Sequence, residues 1–230
     1  TRLRCDWSSD VCSSDLIIED KGDYYRQQSK DSALISRHFE KISRMESAFF
    51  ESEVSQLDLG NINILSIDRG LINSEEVINW AHNLNPDIVF LFGTCILKEG
   101  WLNRFNNKII NLHLGLSPYY RGSGTLFWPF VDCKVECVGA TIHLAAKQVD
   151  SGDILARIKP VITEGDTYYT INCKVIRDAI LALPQVARKL GVLRHIKQNT
   201  DIGKIYLKSD FNEGALSQML AYYGSGISKE

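Results

Sequence analysis

The stretch Asn61–Gly93, NINILSIDRGLINSEEVINWAHNLNPDIVFLFG, decides the fold. Asn61 to Ile67 alternates polar and apolar side chains, the period of a strand. Asn73-Ser74-Glu75-Glu76 is a polar cap with a glutamate three residues on, and Val77, Ile78, Ala81 and Leu84 give the helix it begins one apolar face. Pro86 stops that helix. Asp87 to Phe92 is a continuous apolar run of the kind buried on both sides, and Gly93 marks the turn at its carboxyl end. Strand, helix and strand joined by short links predict an α/β fold: a doubly wound, mostly parallel, Rossmann-like sheet flanked by helices.

Working outward, the carboxyl side carries the chemistry. Lys108-Ile109-Ile110 opens a further strand that ends in Asn111-Leu112-His113. Side chains alternate along a strand, so Asn111 and His113 share one face at its carboxyl end, where open α/β sheets bind ligands. A second strand, Val138 to Ala145, leads through Val149 to Asp150, which precedes the turn residues Ser151 and Gly152. If these strands are neighbours, a carboxamide, an imidazole and a carboxylate converge on one cleft. Taken singly each has a plainer reading, a packed histidine or a turn aspartate. Asp153 to Ile158 with Val161-Ile162 reads as a strand or bent pair, and Asp166-Thr167 caps a helix over Tyr168–Leu190 that contains Pro184. Ile205-Tyr206 is a candidate short strand and Asp210–Tyr223 a last helix.

On the amino side, Leu16 to Glu19 is a short apolar run and Asp20 to Asp23 its turn; Tyr25 to Glu53 reads as one or two helices, with Leu34, Ile35, Phe39, Ile42, Met45 and Phe49 at helical spacing. Residues 1–16 differ from the rest. Trp7 to Asp15, WSSDVCSSD, matches one reading frame of a widely used DNA-sequencing adapter and has no periodicity or signal-peptide core, so 1–16 is expected to be a non-native tail. A natural amino terminus is then expected to have been cut away, with 17–190 read as one domain and 191–230 as a carboxy-terminal extension.

Composition narrows the classes. The chain has 230 residues, 44% of them hydrophobic, enough for one good core. A net charge of -2 gives no support to binding nucleic acid or a membrane surface. No apolar run approaches a membrane span. The cysteines show no paired spacing for a metal, and their scatter fits a reducing cytoplasm without disulfides.

Asn111-x-His113, Leu116-Ser117-Pro118, Arg121-Gly122, Gly139-Ala140-Thr141-Ile142-His143 and Asp150, in this order, resemble the formyltransferases that use 10-formyltetrahydrofolate. The likeness covers roughly residues 57–185, and it implies that 17–190 is the catalytic domain and that the natural first strand, central in the sheet, is missing. It implies Asn111, His113 and Asp150 as catalytic residues. It also implies that backbone groups of Thr94, Cys95, Ile96 and Leu97, with Gly139 and Val149, hold the folate, and that Arg121, Gly122 and Ser123 line the acceptor. On the residues alone, Ile96 and Leu97 equally open the next helix, and His143 is read as packed behind the site. Arg121 to Gly124 is not a phosphate loop, since the lysine and spacing are absent.

The chemistry fits those residue types. Formyl transfer to an amine passes through a tetrahedral oxyanion, which fixed donors stabilise. Asn111 can donate one hydrogen bond, His113 can donate another or protonate the leaving folate nitrogen, and Asp150 can take the amine's proton. No metal is needed. The expected acceptor is a primary amine on a small molecule, an amino-sugar nucleotide or glycinamide ribonucleotide. A folded carboxy-terminal domain, as methionyl-tRNA formyltransferase carries, would need more residues than follow Gly191, so tRNA is not the expected acceptor. Two alternatives stand beside this: hydrolysis of the same folate, and a binding module without catalysis.

Overall fold

The computed structural model describes residues 2–4, 13–20, 32–56 and 62–227. In chain order the strands are β1 (Arg2–Arg4), β2 (Ser13–Glu19), β3 (Ile64–Ile67), β4 (Val89–Leu91), β5 (Ile109–His113), β6 (Tyr120–Gly122), β7 (Ala140–Leu144), β8 (Ile154–Ile158) and β9 (Lys204–Tyr206). The helices are α1 (Ala33–Ser55), α2 (Glu75–Asn83), α3 (Glu99–Arg104), α4 (Trp128–Val131), α5 (Tyr168–Lys189) and α6 (Glu213–Tyr223). Seven strands form one sheet in the order β3-β2-β1-β4-β5-β7-β8, while β6 and β9 pair in a second. β2 runs parallel to β3 and β4 to β5; β1 is antiparallel to both neighbours, and β7 to both of its own. All but β1 and β7 therefore point the same way, as a doubly wound sheet requires.

The sheet position between β2 and β4 is held by the Arg2–Arg4 backbone. β2 itself runs back through Ser13, across the boundary drawn at residue 16. Ladder hydrogen bonds use only backbone groups, so they do not discriminate by sequence. Residues 21–31, where the turn after Asp20 and the start of the next helix were expected, lie outside the described residues.

Two cores sandwich the sheet, and alternation along the strands sorts residues between them. Ile110, Leu112, Ala140, Ile142 and Leu144 face one core, with Ile35 of α1, Ile171, Val175 and Ala179 of α5, and Leu216 and Met219 of α6. Ile109 faces the other, with Val89, Val77, Ile78, Ala81, Trp101 and Phe105 from β4, α2, α3 and the residue after it. Asn111 and His113 on β5, and Thr141 and His143 on β7, fall by the same period on the second face.

Local signals shift by a residue or two. Ser74, not Asn73, caps α2 by accepting from the Val77 N–H. Asn73 is released to brace the loop before α3: its amide donates to the Ile96 carbonyl at 3.0 Å and its Oδ1 accepts from the Lys98 N–H at 2.8 Å. The expected strand at Asp87–Phe92 is regular only over Val89–Leu91, and Phe92 is 47% exposed as the chain leaves the sheet edge. Val161 and Ile162 form no strand; the chain turns there, held by the Asp166 carboxylate on the Thr163 N–H and hydroxyl. α4 starts at Trp128, and the Thr125 hydroxyl just before it bonds the Leu114 carbonyl.

His38 sits inside the first core at 3% exposure, its Nδ1 3.0 Å from the Tyr169 hydroxyl. Burial, with Lys41 nearby, lowers its pKa to about 4. The unfolded chain then binds a proton that the folded chain refuses, so stability falls as pH drops through the ordinary histidine value toward about 4. We expect wild type to lose about 2 kcal/mol more than His38→Phe between pH 7.5 and pH 5, read from urea midpoints. Equal losses would show that His38 is protonated at no cost in the folded state.

Candidate active site

β5 and β7 pair with Asn111 opposite His143 and His113 opposite Thr141, so four polar side chains meet on one face. The Asp150 carboxylate reaches that face from the turn after β7. Asp150 has φ of 48°, a left-handed conformation that aspartate and asparagine tolerate best among side-chain-bearing residues. Its Oδ1 accepts from Asn111 Nδ2 at 3.3 Å, and its Oδ2 accepts from the Gly122 N–H at 2.8 Å. His113 Nδ1 stands 3.3 Å from Oδ2 and His143 Nε2 3.6 Å from Oδ1. Asn111 and His113, two of the three residues expected to act together, thus both reach the third, Asp150.

The other nitrogen of His113, Nε2, lies 2.8 Å from the Tyr120 carbonyl, which only accepts, so Nε2 carries a hydrogen. Burial lowers the pKa of His113, against the opposing pull of Asp150 and the Tyr120 carbonyl. Burial raises Asp150, but the His143 and His113 rings beside it and the Gly122 N–H outweigh it, and the carboxyl titrates below its ordinary value. With His113 neutral, the Nδ1 lone pair faces a carboxylate with no proton between them. A proton arriving at Asp150 can be shared with Nδ1, so the pair is arranged to accept one.

The segment expected to line the acceptor lies directly over this pair. Tyr120 and Gly122 of β6 make the backbone contacts to His113 and Asp150 just described, and β6 is held from behind by β9. Tyr206 stacks between Trp128 (4.6 Å between centroids) and Tyr120 (5.9 Å), and both tyrosine hydroxyls donate to Asp132 Oδ2 at 3.0 Å. Arg121 is buried and turns toward the carboxy-terminal segment, donating to the Thr200 carbonyl at 3.0 Å. Its charge is still near enough to lower the basicity of His113. Ser123 and Gly124 line a cavity of about 130 Å³ with Phe39, Phe127, Trp128, Phe211 and Lys208.

The expected folate loop follows β4, which pairs with β5 so that Leu91 lies beside Asn111. Leu97 is buried in the second core and Ile96 is 64% exposed; α3 begins only at Glu99, so neither residue opens the helix. The Cys95 N–H donates to Glu19 Oε2 at 2.8 Å, and the other oxygen of Glu19 accepts from the Gly70 N–H at 2.8 Å. Glu19 thereby ties the loops after β3 and β4 to the end of β2. Its place right after an apolar run at a strand end was the available signal, and sequence reading passed over it. Gly139 is packed where a side chain would meet Leu116 and the Ile158 carbonyl. Val149 is half-buried in the turn before Asp150. Among the described residues no cluster of His, Cys, Asp or Glu could hold a metal ion, and no helix is long and apolar enough to cross a membrane.

Known proteins share this sequence pattern and fold. Methionyl-tRNA formyltransferase of Finegoldia magna is 30% identical over 148 residues, 63% of this chain and 46% of that protein. GDP-perosamine N-formyltransferase of Brucella melitensis is 29% identical over 137 residues, 59% of this chain and 51% of that protein. The chain spans about half the length of these curated relatives. Among solved structures, a sugar N-formyltransferase from a Shewanella species superposes with a TM-score of 0.55 at 20% identity, over 90% of this chain and 88% of that one. The formyltransferase PseJ of Anoxybacillus kamchatkensis gives 0.53 at 21% identity, over 79% of this chain and 93% of that one. The family model described as "Formyl transferase" matches residues 21–187, and on that match the chain belongs to the formyl transferase family.

Proposed function

We propose that the protein transfers a formyl group from 10-formyltetrahydrofolate to a primary amine of an amino-sugar nucleotide. The observation that carries the reading is the convergence of Asn111 and His113 on Asp150 at the carboxyl end of β5. The acceptor amine attacks the formyl carbon and gives its proton to Asp150, which shares it with His113. Asn111 donates to the oxyanion, and His113 returns a proton to the folate nitrogen as the carbon–nitrogen bond breaks. Both Asn111 N–H groups are occupied in this arrangement, by Asp150 and His143, so donation to the oxyanion draws on one of them. The loop Thr94–Leu97, braced by Glu19 and Asn73, offers backbone groups to the pteridine, with Gly139 and Val149 bounding the site.

Two observations support a nucleotide on the acceptor. The cavity beside Ser123 is lined by Phe39, Phe127, Trp128 and Phe211, aromatic side chains of the kind that stack on a base. One relative is named for GDP-perosamine, and the PseJ structure holds a UDP-linked formamido sugar and tetrahydrofolate. Calorimetry with 5-formyltetrahydrofolate, followed by a screen of amino-sugar nucleotides for formylated product, tests the proposal. Folate binding with acceptor-dependent product is expected. Formate release without an acceptor would replace transfer by hydrolysis, and a folded protein that binds no folate would overturn both.

A further inference from the structure

We propose that His143 is a positioning residue for the transfer, setting the orientation of the Asn111 amide and through it the contact with Asp150. The inference rests on the catalytic reading of Asn111 and Asp150 given above. His143 is 2% exposed and lies opposite Asn111 across the β5–β7 pair. Its Nδ1 is 2.7 Å from the Leu144 carbonyl, which cannot donate, so Nδ1 carries the hydrogen. In the neutral ring Nε2 is then a lone pair, and it stands 3.1 Å from Asn111 Nδ2.

That lone pair decides which end of the carboxamide faces inward. The amino end of Asn111 bonds His143 at 3.1 Å and Asp150 at 3.3 Å, and the amide oxygen points away from both. Turning the amide over would set its oxygen against the His143 lone pair and against a carboxylate. Asp150 alone would hold the amide by one long bond; His143 adds a second and shorter one. β8, the other neighbour of β7, carries an extra residue, Leu155, opposite the step from Ile142 to His143.

The test is a double-mutant cycle on the turnover number at saturating donor and acceptor, with calorimetric binding of 5-formyltetrahydrofolate as the check on folding. His143→Phe keeps the ring and removes the acceptor; it is expected to lower kcat about 10²-fold through misplacement of a catalytic group, with the donor KM unchanged. His143→Gln, whose Oε1 reaches the Nε2 position, is expected to recover most of that loss. In an Asn111→Ala background His143→Phe is expected to cost nothing further. A His143→Phe loss that persists in full without the Asn111 amide, or a Gln variant no better than Phe, would mean a packing role and overturn the proposal. If His143→Phe does not fold, Gln against Asn carries the same comparison, because the Asn oxygen falls at the Nδ1 position; equal rates for the two would overturn it. Asn111→Ala at the wild-type rate would instead sink the catalytic reading underneath, and is read from a separate arm.

Discussion

Asp150→Asn is expected to lower kcat by about 10³-fold while folate binding stays close to wild type, within the range for removing a general base. The substitution isolates chemistry from backbone strain, because asparagine accepts the φ of 48° that Asp150 adopts. What it removes is the charge. The carboxylate receives hydrogen bonds from Asn111 and Gly122 and faces Nδ1 of His113. An amide there must turn an N–H toward one of those donors and cannot take the proton of an incoming amine. The pH profile gives a second readout. The proton-accepting form of the pair is the deprotonated one, so wild-type kcat/KM falls on the acid side. Burial lowers His113, and hydrogen bonds and nearby rings hold Asp150 down, so that limb lies to the acid side of an exposed histidine's titration. Steady-state rates decide it. A loss under about tenfold would remove Asp150 from the role of base.

Gly152→Ala is expected to cost about 3 kcal/mol of stability and to depress turnover as well. A Cβ at Gly152 would overlap the Leu144 carbonyl, backbone against backbone, which no rotamer change relieves. The turn from Asp150 to Gly152 would have to move away from β7, shifting the carboxylate two residues upstream. The same Leu144 carbonyl accepts from His143, so the displacement reaches the site from two directions. In a domain of this size the loss corresponds to a melting temperature about 10 °C lower. Gly191→Ala is the control: nothing lies within 4 Å of its Cβ, and a change within about 0.5 kcal/mol is expected there. Equal melting temperatures for the two variants would show that the turn yields freely.

The interior strands and helix α2 were legible in the chain because their signals are local. The apolar run before Gly93 and the stripe Val77, Ile78, Ala81 carry the signatures of a buried strand and an amphipathic helix; Val89 and the stripe are in the second core and Phe90 is in the first. Period two also put Asn111 and His113 on one face before any neighbour was known. The cap of α2 was displaced by a residue because Asn73 and Ser74 are both good caps; a tertiary partner, the loop at Ile96 and Lys98, claimed Asn73. Phe92, apolar by sequence, lies just past the end of β4 and is 47% exposed.

The sequence by itself determined the α/β class, the strand that carries Asn111 and His113, and the ordered motif that marks the family, since each is written in spacing along one short stretch. Tertiary structure alone decided that β7 lies beside β5, which turns His143 from a packed residue into a partner of Asn111. It alone brought Glu19 to the Cys95 loop and β9 behind Tyr120–Gly122, across separations of more than seventy residues. Such contacts depend on where whole elements come to rest. That is set by burying two core faces at once, and no local period encodes it.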